Sequence, residues 1–186
     1  YKDFYKNYLA LDVIVGRKTE NEKFPGAEIT WTIEAMMKDG KSLQAATSHY
    51  LGQNFSKMFD VSFKNKDNKF EHVFQTSWGL STRSIGAIIM GHGDNRGIVI
   101  PPKVASIQVD LIEIMANKDQ RVSEVSNKIK SFLENNNIRV RVDKTNKSVG
   151  FKVSQSEIEG VPIRIEIGPR DLENNKVLIV RRDNIE

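Results

Sequence analysis

TSWGLSTRSIGAIIMGHG, residues Thr76 to Gly93, is the stretch on which the fold turns. It reads as a polar, glycine-bearing loop running straight into an apolar helix. Ser81 or Thr82 suits the helix cap, and Ile85, Ile88 and Ile89 recur at helical spacing before Gly91 and Gly93 stop it. Arg83 falls in the first turn, where the macrodipole disfavours a cation unless an anion lies beside it. Two readings stand: Arg83 holds a bound phosphate or carboxylate, or it is a surface residue that follows a cap.

Upstream of this stretch, Glu28 to Ser48 predicts an antiparallel hairpin. Ile29, Trp31, Ile33, Ala35 and Met37 alternate with Thr30, Thr32, Glu34 and Met36, Asp39-Gly40 is a tight-turn signal, and Ser42 to Ser48 returns. The return strand carries Gln44, Thr47 and His49 among the small residues Ala45 and Ala46, so a ligand can approach its backbone closely. Taken singly these side chains are ordinary hydrogen-bonding groups. Phe24 stands alone among polar neighbours in the charged loop Gly16 to Ala27, either solvated or covering a ligand. The opening reads as a helix with Phe4, Tyr5, Tyr8 and Leu9 on one face, then a strand at Val13 to Val15, with no start of its own, as if cut from a larger protein. Leu51, Phe55, Met58 and Phe59 predict a helix with a core-facing stripe, capped by Ser48, and Val61 to Phe63 and Phe70 to Gln75 predict two strands.

Downstream, Ile98 to Ile100 reads as a short strand and Pro101-Pro102 as a stiff break, which sets a domain boundary after residue 102. Beyond it the pattern changes. Ser106 to Ile114, Ile138 to Val142, Ile163 to Ile167 and Val177 to Val180 predict strands, Val122 to Leu133 a helix, and Gly150 to Gly160 a shorter helical or irregular piece. Alternation of this kind points to an α/β domain with a largely parallel or mixed sheet. Arg139 and Arg141 predict a solvated face.

Composition bounds the function. The 186 residues carry 39% hydrophobic and 28% charged side chains, enough for an ordinary core in one large or two small domains. The net charge of +4 is shared evenly, 13 basic and 11 acidic residues up to 102 against 15 and 13 beyond, so nucleic-acid contact is permitted without a basic arm. With no cysteine and three scattered histidines, disulfides and thiolate metal sites are excluded and a histidine-rich site is disfavoured. No signal peptide or apolar run of spanning length is present, and a cytoplasmic protein with no membrane partner is expected.

Four stretches together carry a resemblance: Gly16 to Ala27, Thr32 to Phe55, Gln75 to Pro102 and Gly160 to Asp171 closely resemble prolyl-tRNA synthetase of the archaeal and eukaryotic type. The central stretch is similar to the third signature motif of class II aminoacyl-tRNA synthetases. The resemblance implies an α+β catalytic part, an antiparallel sheet flanked by helices over residues 1–102, followed by an α/β anticodon-binding domain with a mixed sheet over 103–186.

It also implies residue roles. Arg83, Ser81, Thr47 and Gln44 match ATP contacts, with Gln44 also near a magnesium ion. His49 matches a contact to L-proline, and Phe24, Trp78 and Gly79 the wall and floor of the proline pocket. Glu157, Arg164, Arg170 and Asp171 resemble positions that read anticodon bases. The implied reaction forms prolyl-adenylate from proline and ATP and transfers the prolyl group to the 3′ end of tRNA(Pro). Catalysis there rests on positioning and charge neutralisation, so no nucleophilic side chain is needed. The first two signature motifs are expected before Tyr1 and a carboxy-terminal domain beyond Glu186. On that view the full-length protein is a homodimer and this piece an inactive monomer. Two other readings are a catalytically dead synthetase-like paralogue that keeps tRNA contact, and a soluble α/β protein whose polar clusters are structural.

Overall fold

The computed structural model describes residues 1–184; the last two residues of the predicted second domain, 185 and 186, lie outside them. The chain divides into two compact units, Tyr1–Gly91 and His92–Glu186.

The first unit is built on hairpin logic. Helix α1 (Lys2–Tyr8) leads into β1 (Val13–Arg17), then come β2 (Ile29–Met36), β3 (Ser42–Gly52), the single turn α2 (Asn54–Met58), the small strands β4 (Ser62–Lys64) and β5 (Phe70–His72), β6 (Gln75–Leu80) and α3 (Arg83–His92). Strands β1, β2, β3 and β6 form one antiparallel sheet in that order, while β4 and β5 pair only with each other. Helix α1 lies against β1, and the Tyr5 phenol, fully buried, sits 3.2 Å from the Ala45 carbonyl oxygen and 3.0 Å from Ser84 Oγ, so one side chain ties α1 to β3 and α3. Gly91 accepts the Leu11 side chain where any Cβ would collide with it.

The register of the hairpin matters most. Ile33 pairs with Ala46, but Glu34 pairs with Gln44, which makes Ala45 an extra residue in β3. Strict alternation would put Gln44 on one face and Thr47 and His49 on the other. The bulge cancels that offset, and all three share the face of Thr30, Thr32 and Glu34.

The structure departs from the sequence expectations at several places here. Thr76 to Leu80 is not a loop but edge strand β6. On β2 the threonines Thr30 and Thr32 are buried while Trp31 is exposed, because the face with the bulge carries the polar network and is covered there. Residues 50–52 continue β3, so Ser48 caps no helix, and Met58 and Phe59 stand 72% and 69% exposed rather than in a core.

The second unit is a mixed sheet. Its elements are β7 (Val109–Glu113), α4 (Gln120–Asn135), β8 (Val140–Asp143), α5 (Val149–Ile158), β9 (Ile163–Ile167), the short α6 (Pro169–Glu173), which the periodicity did not predict, and β10 (Leu178–Arg181). The strand order is β10-β9-β7-β8, with β7 parallel to both neighbours and β10 antiparallel to β9. Val109, Asp110, Leu111 and Ile112 are all buried, as a central parallel strand covered on both faces requires. One face packs Leu111, Ile165 and Ile167 with Val122 of α4. Asp119 and Ser148 cap α4 and α5 by accepting from the Arg121 and Phe151 N–H groups.

Residues 94–100 were expected in the first domain, and Ile98 to Ile100 as a strand. They are neither. The Ile98 and Ile100 N–H groups donate to the Ile158 and Gly160 carbonyls, outside any sheet, and this fixes the segment to the end of α5. Two glycines permit that approach. A Cβ on Gly97 would lie 2.6 Å from Ile158 Cα, and one on Gly160, at φ +70°, 2.5 Å from the Ile98 carbonyl oxygen.

Candidate functional site

The bulged face of the first sheet carries a pocket of about 230 Å³ lined by Gln44, Ala45, Ala46, Thr47, Gly79, Leu80, Ser81 and Arg83. Thr47 faces Gly79 across the β3–β6 ladder, and the missing side chain there leaves the floor open. Ser81 Oγ accepts from the Arg83 N–H at 3.3 Å and opens α3. The Arg83 guanidinium folds back over the pocket, donating through Nη1 to the Gln44 carbonyl oxygen at 3.1 Å. One cation and an open floor thus meet at a helix start, an arrangement suited to an anion. The four residues predicted to bind nucleotide are brought together.

His49 lies one step along the same face, since Thr30 pairs with His49 as Thr32 pairs with Thr47. Its Nδ1 lies 2.9 Å from Thr30 Oγ1, which also accepts from the Phe24 N–H at 3.2 Å. The Phe24 ring packs at 4.9 Å from the imidazole, centroid to centroid, and at 6.1 Å from Phe55. With Nδ1 taken, the Nε2 edge is the side left for a ligand. Thr30 is the residue that sequence reasoning missed: alternation marked it only as a polar position, and its partnership with His49 depends on register.

Trp78 does not join this group. Its cross-strand partner is Ser48 whereas that of His49 is Ser77, so Trp78 stands on the opposite face, 68% exposed, with Nε1 donating to Thr76 Oγ1. Strand alternation corrects its expected place in the proline pocket.

In the second unit a row of charges crosses the sheet beneath the end of α5. Arg164 pairs in register with Asp110, and Asp110 with Arg141. Arg141 is not on a solvated face: it grips Asp110 through two contacts of 2.7 Å and reaches Glu159 at 2.7 Å. Hydrogen bonding to Asp110, joined by Glu159, raises its pKa against the opposing effect of burial. Arg139 instead donates to backbone carbonyls at Ala105 and Pro102.

Arg164 donates through Nη1 to Glu157 at 3.0 Å and through Nε to Glu166 at 2.8 Å, and its side chain is only 10% exposed. Its first duty is therefore to neutralise two carboxylates. Arg182, buried, donates Nε to the Glu157 carbonyl and both terminal nitrogens to Asp94 at 2.7 Å. The other two predicted readers sit elsewhere. Arg170 is exposed in α6, and Asp171 closes the start of that helix by accepting from the Gly168 N–H at 3.0 Å. They follow the far end of β9, so the four expected anticodon residues make two groups rather than one.

Among the described residues no cluster of three or more histidine, cysteine or acidic side chains suits a metal ion, and no helix is long and apolar enough to cross a membrane.

Residues 108–186, most of the second unit, match the family described as anticodon binding domain. All 186 residues align at 63% identity with the proline–tRNA ligase of Mycoplasmopsis synoviae and at 62% with that of Mycoplasma mobile, covering 38% and 39% of those proteins. The proline–tRNA ligase of Mycoplasmopsis pulmonis is 56% identical over the same span. The chain is thus similar to these prolyl-tRNA synthetases along its whole length and spans about 38% of the length of these curated relatives.

Proposed function

We propose that this chain is the part of a cytoplasmic proline–tRNA ligase that holds ATP and proline on its first unit and the anticodon of tRNA(Pro) on its second. The bulged sheet face supports the first half, because it gathers Gln44, Thr47, Ser81 and Arg83 around one pocket with His49 and Phe24 adjacent. On this reading residues 1–91 are the later half of a class II catalytic sheet, and the whole protein works as a homodimer.

The residues present fit a nucleotide. Arg83 neutralises phosphate charge and Ser81 adds a hydroxyl. Thr47 with the bare backbone at Gly79 lets a flat group lie close to the strand. For magnesium this chain offers only the Gln44 side-chain oxygen, so the ion would be held mainly by the phosphates. When bound, the ion would neutralise charge on the leaving pyrophosphate. His49 orients the imino acid through Nε2, with Thr30 fixing the ring and Phe24 shielding it. No proton need pass through any of these side chains.

The observation that carries the reading is the match of all 186 residues to part of proline–tRNA ligases together with the pocket around Arg83. In the whole protein, Arg83→Ala is expected to lower proline-dependent ATP–pyrophosphate exchange by about 10²- to 10³-fold, as for loss of one preorganised charge contact. Unchanged exchange overturns the assignment. The chain alone is expected to give no exchange.

A further inference from the structure

We infer that Arg96 is a specificity-determining contact to an anticodon base, acting beside Glu157. This rests on the tRNA reading above and adds a residue that neither the sequence resemblance nor the family match assigns.

Arg96 sits in the turn Asp94–Gly97 with its side chain 47% exposed. Its Nη1 lies 4.0 Å from Glu157 Oε2, too far for a hydrogen bond, while Glu157 Oε1 is taken by Arg164 at 3.0 Å. A donor and an acceptor therefore stand side by side without satisfying one another. A base edge, which presents an acceptor next to a donor, can bridge them.

The spacing is imposed by the fold. Asp94 Oδ1 accepts from the Arg96 and Gly97 N–H groups at 2.8 and 3.2 Å, and the same carboxylate is gripped by Arg182, whose Nε holds the Glu157 carbonyl at 2.9 Å. One buried guanidinium thus fixes both the turn that carries Arg96 and the helix end that carries Glu157. Gly97, pressed against Ile158, fixes the approach of the two backbones. Arg182 and Asp94 are positioning residues.

Charge selects a base over a phosphate. Arg96, Arg164 and Arg182 are matched by Asp94, Glu157 and Glu166, leaving no net charge to attract an anion. An arginine also pairs bidentately with guanine, and every proline anticodon ends in two guanines because every proline codon begins with two cytosines.

The test is binding of the chain to tRNA(Pro) transcripts with the natural anticodon or with either guanine replaced, comparing wild type, Arg96→Ala, Arg96→Lys and Arg170→Ala at two salt concentrations. Arg96→Ala and Arg96→Lys are both expected to weaken the natural RNA by about 5- to 150-fold and to erase most of the discrimination at one guanine, with the salt slope unchanged. Equal loss on every RNA with a salt slope lower by about 1 assigns Arg96 to a phosphate and overturns the inference. So does full binding by Arg96→Ala while Arg170→Ala is impaired, an outcome that leaves the tRNA reading standing. Wild-type chain that binds no transcript overturns both. Arg96 is half exposed, and circular dichroism of Arg96→Ala is expected to match wild type.

Discussion

Arg164 illustrates how a residue type legible in sequence acquires its role only from its neighbours. An exposed base-reading arginine can be removed with the fold intact. Arg164 instead lies between Glu157 and Glu166, and removing it leaves two carboxylates facing each other with little solvent. Arg164→Ala is accordingly expected to cost about 3–5 kcal/mol of stability, the loss that follows when one partner of a buried ion pair is deleted. Urea unfolding of the whole chain measures it, and a change under 1 kcal/mol would contradict the buried network. Reduced RNA binding by that variant would then report unfolding rather than lost recognition. The same distinction applies to Asp171, whose carboxylate is already spent on the start of α6.

At the scale of elements, the second unit depends on α5 and the turn after it. Gly160 adopts φ +70° against the Ile98 carbonyl, so Gly160→Ala is expected to destabilise the chain by roughly 1–3 kcal/mol. Gly150, in the first turn of the same helix with open space around it, gives the opposite sign: Gly150→Ala should stabilise by about 0.5–1 kcal/mol. Thermal unfolding of the pair, measured side by side, separates backbone strain from helix propensity. The elements themselves were largely readable. Asp39-Gly40 announced the hairpin, the 3.6-residue period announced α4, and the β-branched runs announced β7 and β9. What could not be read was parity. A single extra residue at Ala45 decides whether Gln44 joins Thr47 and His49, and composition near that bulge is simply small and apolar. Trp78 was misplaced for the complementary reason, because a strand taken for a loop has no faces. The Tyr50 to Phe59 stretch held a helical stripe by spacing, yet pairing with β6 kept residues 50 and 52 in β3.

For the molecule as a whole, the second unit is closed by a pair of groups from its two extremes, Asp94 and Arg182. The Arg182 guanidinium, helped by the Arg96 and Gly97 N–H groups, outweighs burial and holds the Asp94 carboxyl well below the usual carboxylate range. A folded-state pKa lowered in this way contributes stability that is complete above the unfolded value near 4 and is lost as pH falls through the folded one. Stability of the wild type is therefore expected to fall progressively below about pH 4. Asp94→Asn should be the less stable protein at pH 7, and the gap between the two should close as the solution is acidified. A denaturation midpoint recorded at half-unit steps from pH 6 to pH 2.5 checks this, and a constant gap across the series would remove Asp94 from the acid response.

That closure also sets an order of events in the cell. Asp94 and Arg182 are 88 residues apart, so a ribosome adding about 5–20 residues per second makes the first wait roughly 4–18 s for the second. Throughout that interval the nascent turn at 94–97 lacks its clamp, and α5, once synthesised, has its Glu157 carbonyl held by the Gly160 N–H and not yet by Arg182. Translation pauses between these codons would lengthen the exposure of this half-built domain to chaperones and proteases.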